Sequence, residues 1–423
     1  MKRTAINLTS VIGGEALQRG ANFLAVVVIA RLYGAGMLGL YATALAYVTV
    51  AAMIAENGLQ ISSIAEITRF PAGVNVVASS VCSLRLTLFG VMSLVLAATG
   101  WWERWPGEVW IIGVLTALRV FLQSYSQLQF SVLKGLDRMP VIGPIQTVNS
   151  TVLLAGIAAT YYFSWRLNWL LACFVLSQGL EIMLSLVVLW KSGIRPTTFP
   201  VSGWWRFLKR SAPVGLAYAL LTMTMRADVI VLSAFGSLTD VGHFSGAHMG
   251  IVLFYSMSWL LGSVLLPDFS RLLEDPVGFE RYTRRWTNSL LLVAGLGAIV
   301  LSRIARPAML LLYGKGFAVT GDLASVMVLA VPFILLNAVY FSRAVALAST
   351  RVYLATYTAT TVLAILLDII LVRNYGAMGI AVAIVIRELV TFLIFRIQAA
   401  NVSRTMHESR PLPVHAAMES LDA

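Results

Sequence analysis

The sequence predicts an all-α integral membrane protein, with about twelve transmembrane helices in two six-helix parallel repeats around a central cavity. Three observations carry that prediction: a deficit of charge, a regular series of apolar runs, and a loose internal repeat. Of 423 residues, 59% are hydrophobic and 12% charged, and the mean hydropathy is +0.83. Soluble domains carry about 25% charged residues, so there is too little charge here to coat a water-facing surface. The net charge of +12 would suggest nucleic acid in a soluble protein. Its placement along this chain gives it another meaning, and no nucleic-acid partner is expected.

A bilayer core takes about 20 mainly apolar residues per helix. Runs of that kind lie near 11–33, 37–57, 78–100, 109–132, 142–163, 168–190, 211–235, 243–266, 287–304, 322–346, 352–372 and 377–398. The first follows a basic opening, but Glu15 and Arg19 interrupt it and no small-residue cleavage site follows. It reads as a retained span and not as a signal peptide. With both termini cytoplasmic, eighteen of the 31 basic residues fall in cytoplasmic segments and seven at outer ends or loops. The positive-inside rule selects that orientation. Arg19, Arg85, Arg119, Arg226, Arg343 and Arg387 remain within spans.

Residues 1–200 and 201–400 form the two expected halves, and 401–423 is a polar tail expected to be disordered and cytoplasmic. At the junction, "GWWRFLKR" mixes Trp204, Trp205 and Phe207 with Arg206, Lys209 and Arg210, as an amphipathic stretch lying on the inner surface would. The repeat shows where "IARLYGAGMLGLYATAL" (29–45) matches "LSAFGSLTDVGHFSGAH" (232–248). In each, a span ends in glycine, Gly34 or Gly236. A short loop then leads to Gly39-Leu40-Tyr41 or Gly242-His243-Phe244. Six spans is an even number, so the halves enter from the same side. Gly34, Gly36 and Gly39 also fit a dinucleotide-binding pattern, but a 20-residue span precedes them where a short strand is required. They make a tight turn.

Polar residues recur on single helix faces. Glu15, Gln18, Arg19 and Asn22 stand at i, i+3, i+4 and i+7; Arg119, Gln123 and Gln127 at i, i+4 and i+8; Tyr218, Thr222 and Arg226 likewise. Asn337, Tyr340 and Arg343 share a face in span ten, and Arg387 stands beside Glu388 in span twelve. Such stripes avoid lipid and face either the bundle or a water-filled cavity. Arg85 and Arg343 lie near enough to a span end to snorkel. Asp228, two residues from Arg226, points to another face, and the two therefore seek separate partners. Cys82 and Cys173 suggest no disulfide framework, and His243 and His248, five apart, no shared metal.

Twelve spans in two halves, with "ARLYGAGMLGLYATA", "RADVIVLSAFGSLTDVGHFSGA", "LLLYGKGFA" and "DIILVRNYGAMGIAVAIVIRE" in that order, resemble the polysaccharide biosynthesis transporters. These are the Wzx-type O-antigen and exopolysaccharide flippases of the multidrug/oligosaccharidyl-lipid/polysaccharide superfamily. The resemblance implies a flippase, not an enzyme, in a bacterial inner membrane. It would carry an undecaprenyl-diphosphate-linked oligosaccharide from the cytoplasmic to the periplasmic leaflet by alternating access, supplying lipopolysaccharide or exopolysaccharide synthesis. Membrane lipid is an expected partner, and a polysaccharide polymerase and a chain-length regulator are candidate partners. No cofactor is expected, and a proton or sodium gradient is the candidate coupling source.

On this reading Arg19, Arg119, Arg226, Gln18, Asn22, Gln123, Tyr218, Thr222 and Arg387 line the cavity and bind substrate. Glu15, Asp228 and Glu388 serve ion pairing or coupling. A multidrug antiporter of the same superfamily would call for a more acidic cavity. A membrane-bound polymerase or ligase would call for a large outer loop. Reporter fusions test the topology: fusions at Gly203 and beyond Asn401 should report cytoplasm, and one near Gly107 periplasm. An outer location for 191–210 would overturn both the span count and the repeat.

Overall fold

A computed structural model of the chain describes residues 2–408 except 57–58, 70–72, 103, 105, 196–203 and 348–349, and for some helical residues the backbone alone. Among the described residues all regular structure is helical. The first half holds α1 (Lys2–Glu56), α2 (Leu59–Arg69), α3 (Val74–Trp102), α4 (Gly107–Gly135), α5 (Ile142–Phe163) and α6 (Leu167–Lys191). The second holds α7 (Trp204–Phe235), α8 (Leu238–Arg271), α9 (Pro276–Tyr313), α10 (Ala318–Met327), α11 (Val331–Ala346) and α12 (Thr350–Glu408).

Two of these helices are double. A straight helix the length of α1 (55 residues) would measure about 80 Å, against a hydrocarbon core of about 30 Å. Gly34 breaks it with φ 78° and ψ 179°, a backbone region open to glycine and closed to residues with a Cβ. The arms then fold back on each other, because Asn22 and Tyr41 both bond the Arg119 guanidinium. α12 breaks at Gly376 in the same way, and Thr356 Oγ1 donates to Gln398 Oε1 at 2.9 Å across the bend. Nine described helical stretches are long and apolar enough to cross a bilayer, with α10 and α11 joined as one of them. Counting both arms of α1 and α12 separately gives eleven among the described residues, and α7 is a further long helix at the place of the seventh expected span.

Lipid-facing and interior surfaces separate along each helix. Leu292, Val293, Leu296, Ile299 and Val300 are exposed along α9, a stripe that water would not tolerate and acyl chains would. Trp101, Trp102, Tyr162, Phe163 and Trp169 are exposed at the Gly34 end of the bundle, where an aromatic belt meets the headgroups. One apolar core gathers Leu232, Phe244, Ile251, Ile334 and Ile384 of the second half around Ala46 of α1. Another gathers Ile29, Leu38, Leu153, Leu170 and Phe174 of the first half, with Tyr313 and Phe317 of the second. Each half thus borrows packing from the other.

The halves meet most closely at the two glycine turns. Ser237 caps α8 in a reciprocal box: Asp240 N donates to Ser237 Oγ at 3.2 Å, and Ser237 N donates to the Asp240 carboxylate at 3.1 Å. This fixes the start of α8 and seats it on the second arm of α1. A Cβ added at Gly39 would stand 2.7 Å from the Leu238 carbonyl carbon, and one at Gly242 would stand 2.6 Å from that of Ala35. Neither distance is sterically possible, so backbone touches backbone in both directions and closes this end between the halves.

Several expectations need correction. The amphipathic stretch begins α7 at Trp204 and is continuous with that span, not a separate surface helix. The expected division near residue 200 lies outside the described residues. The tail is helical as far as Glu408, where disorder was expected from 401, and 409–423 lie outside the described residues. α2 is an extra short helix, and span nine extends over Pro276–Tyr313, where Asp275 caps it and Pro276 fills its first position. One consequence is testable. Gly242→Val should push the turns apart by about 1 Å or more, toward ordinary carbon–carbon contact. Spin labels at Ala35 and Ser237 should then read a longer, broader distance than in the wild type; an unchanged distance would mean the contact does not hold this end shut.

Candidate substrate-binding cavity

The polar faces read from helical spacing converge on one space between the halves. A cavity of about 560 Å³ is lined by Glu15, Gln18, Arg19 and Asn22 from α1, and by Arg119, Gln123 and Gln127 from α4. Thr222 and Arg226 of α7 and Ser245 and His248 of α8 complete the wall. Tyr41 and Thr49 of α1 and Gln60 of α2 also line it, and spacing alone had not singled these out. The Tyr218 side chain lies outside the described residues.

Three arginines and one carboxylate are the charged groups on this wall among the described residues. Arg119 is the most firmly held. Its Nη2 donates to Asn22 Oδ1 at 2.6 Å, its Nη1 donates to the Tyr41 hydroxyl, and its guanidinium lies 3.8 Å over the Phe174 ring. Asn22 is itself fixed, since Nδ2 donates to Gln18 O at 2.8 Å. Arg19 is looser. It reaches Ser256 Oγ across the interface, and its pair with Glu15 is 3.8 Å long with about half of each side chain exposed. Such a pair contributes at most about 1 kcal/mol, so Arg19 can turn toward a better anion. Arg226 is partly buried and close enough to Arg119 for their charges to repel. Ser245 Oγ and His248 Nε2, both buried, make no hydrogen bond among the described residues.

Arg387, expected on the cavity wall, stands elsewhere. It is 2% exposed in the dry interior of the second half, and its Nη1 lies 2.9 Å from Asp228 Oδ1. It also donates to the Thr224 carbonyl at 3.3 Å and to the Tyr255 hydroxyl at 3.2 Å. Glu388 accepts from Tyr255 at 2.7 Å and from Asn337 Nδ2 at 2.9 Å, and Asp368 lies against Asp228. A charge this deep needs a partner, and the partners come from α7, α8 and α12. Arg85 and Arg343 do not snorkel; both are buried, Arg85 on Ser124 and Arg343 on Glu280. His243 bonds Thr320 while His248 stacks on Phe244, so they occupy separate surroundings.

A further buried carboxylate received no role in the site from the sequence alone. Glu181 of α6 is fully buried and accepts from Gln18 Nε2 at 3.2 Å, from Ser126 Oγ at 2.7 Å, and from Asn149 Nδ2. Gln178, one turn before it on an otherwise apolar helix, was the available signal.

Comparison with known proteins places this geometry in context. The family described as "Polysaccharide biosynthesis protein" matches residues 5–273. No curated protein matches. Among solved structures, the lipid II flippase MurJ in an inward closed conformation is similar at TM-score 0.73 and 14% identity, covering 92% of this chain and 86% of that one. An inward-facing multidrug resistance MATE family transporter of the MOP superfamily is similar at 0.68 and 15% identity, covering 93% and 99%. A MOP superfamily transporter from Pyrococcus furiosus is similar at 0.63 and 14%, covering 94% and 96%.

The Arg387–Asp228 pair generates a stability prediction. Asp228→Ala should destabilise the fold by about 3–5 kcal/mol, because it strips a buried guanidinium of its nearest anion. Asp228→Ala/Arg387→Met should recover much of that loss. Thermal unfolding of the purified variants measures both, and equal midpoints for wild type and Asp228→Ala would show the pair to be dispensable.

Proposed function

Since the chain belongs to the polysaccharide biosynthesis protein family, within the MOP superfamily of flippases and transporters, we propose that it flips a diphosphate-linked lipid oligosaccharide across the bacterial inner membrane. The carrier is undecaprenyl diphosphate, and the product feeds O-antigen or exopolysaccharide synthesis. The observation that carries the reading is the wall itself: Arg19, Arg119 and Arg226 against Glu15 alone, interleaved with Gln18, Asn22, Gln123 and Gln127. Guanidinium groups bind phosphate oxygens in pairs, amides bond sugar hydroxyls, and the lipid stays in the bilayer beside the bundle.

Arg119 is pre-oriented by Phe174, Tyr41 and Asn22, so it needs little ordering when an anion arrives. Arg226 and Arg119 repel each other, and a dianion placed between them relieves that repulsion. Both termini and the 191–204 connection lie on the cytoplasmic side in this reading, and the glycine turns on the periplasmic side. The backbone contact at Gly39 and Gly242 supports a state closed toward the outer leaflet. Transport then requires that contact to part as the cytoplasmic end closes. A multidrug antiporter is the weaker reading, because a cationic drug would meet a wall with more arginines than acids.

Arg226 tests the reading. Arg226→Ala should lower polysaccharide surface display roughly tenfold or more at normal membrane abundance, as expected for one lost charge-assisted phosphate bond of about 1.5–3 kcal/mol. Arg226→Lys should retain part of the activity, since charge survives and the fork does not. Full display by Arg226→Ala would remove the residue from the site.

A further inference from the structure

At the Gly34 end, two hydrogen bonds cross between the halves from a side chain that the cavity does not use. Arg31, three residues before the Gly34 break, donates from Nε to the Leu312 carbonyl at 2.6 Å and from Nη2 to the Leu311 carbonyl. Arg31 belongs to the first arm of α1, and both carbonyls belong to the last turn of α9.

The acceptors are available because of how α9 ends. A helix leaves its last four carbonyls without a partner inside the helix. Gly314, at φ 98°, turns the chain out of α9, and its N–H takes the Leu310 carbonyl at 2.9 Å. The next two carbonyls lie at the negative end of the helix dipole, where a cation is favoured. Arg31 meets both with one planar fork. The first half thus caps a helix of the second.

Each side of this bridge is tied to its own half. Tyr33, two residues on from Arg31, donates its hydroxyl to the Trp165 carbonyl between α5 and α6. On α9, Tyr313 donates its hydroxyl to the Gly246 carbonyl of α8 at 3.1 Å, and Arg306 pairs with Asp322 of α10 at 3.5 Å. Any movement of one half against the other therefore falls on the Arg31 bonds.

Exposure decides whether the bridge can break. Arg387 is buried against Asp228, and freeing it would strand a charge in the interior. Arg31 is exposed and its acceptors are neutral carbonyls, so water can replace them when the guanidinium lets go. We propose that Arg31 is a releasable latch, which holds the halves shut at the Gly34 end and lets go as they part. The proposal rests on halves that move against each other, and not on which substrate they carry. A cap that only steadied α9 would favour neither arrangement of the halves.

The experiment uses the purified full-length protein in nanodiscs, with no transport substrate. Spin labels at Tyr162 and Val319, both exposed and on opposite halves, read the opening through their distance distribution. Thermal unfolding of the same samples reads stability. The wild type should show mainly the short distance. Arg31→Gln should raise a longer-distance population, lowering the closed-to-open ratio roughly tenfold or more, as expected for losing a charge-assisted bond. Arg31→Lys keeps the charge without the fork and should fall between the two. Arg306→Gln breaks an ion pair inside one half and should keep the wild-type distribution. A wild-type distribution in Arg31→Gln would overturn the latch, even with a lowered unfolding midpoint, which would mark a cap alone. Equal opening by Arg306→Gln would overturn it too. Should Arg31→Gln fail to fold, a wild-type distribution in Arg31→Lys has the same force. None of these outcomes bears on whether Arg226 binds a diphosphate.

Discussion

An arginine inside a bilayer-spanning bundle is tolerable in two situations: paired in a dry interior, or facing water. The architecture follows from how each guanidinium meets that condition. Arg387 is buried, and α7 and α8 supply Asp228, the Thr224 carbonyl and the Tyr255 hydroxyl beside Glu388 of its own helix. Arg19, Arg119 and Arg226 face a cavity, which must therefore stay wet or hold an anion. Pairing locks the second half together, and the cationic wall keeps a polar space open between the halves.

The glycine turns set where that space ends. Gly39 against Leu238 and Gly242 against Ala35 bring two backbones closer than any side chain permits, and the capping box at Ser237 holds one of those turns in position. Side chains pack across the halves beside this contact, Ala46 with the second half and Tyr313 and Phe317 with the first. Parting the contact therefore also parts this packing. The cavity lies on the other side of it, reaching down to Gln60 and Gln127.

Much of the fold was legible because bilayer thickness imposes one length on every crossing and helical geometry imposes one spacing on every face. Glu15, Gln18, Arg19 and Asn22, and Arg119 with Gln123, could be placed on common faces from their spacing, and those faces line the cavity. Arg387 was misplaced because nothing in a single helix says which of its faces meets a carboxylate from another helix, here Asp228 of α7. Glu181 received no site role for a related reason. Its partners are neutral and come from three other helices, so the one local mark was Gln178 a turn before it. α2 and the continuity of Trp204–Phe235 were hidden because short mixed sequences near an interface fit a surface stretch and a helix start equally well.

On the proposed function, the cationic cavity carries a lipid through its diphosphate. Liposomes containing the purified protein and a fluorescent polyprenyl-diphosphate sugar measure this directly, through the rate at which inner-leaflet label becomes accessible to a membrane-impermeant quencher outside. The protein should accelerate exposure of the diphosphate lipid well above protein-free liposomes, and should leave the same lipid bearing an uncharged linkage at the background rate. Equal acceleration of both lipids, or of neither, would contradict a site built around phosphate.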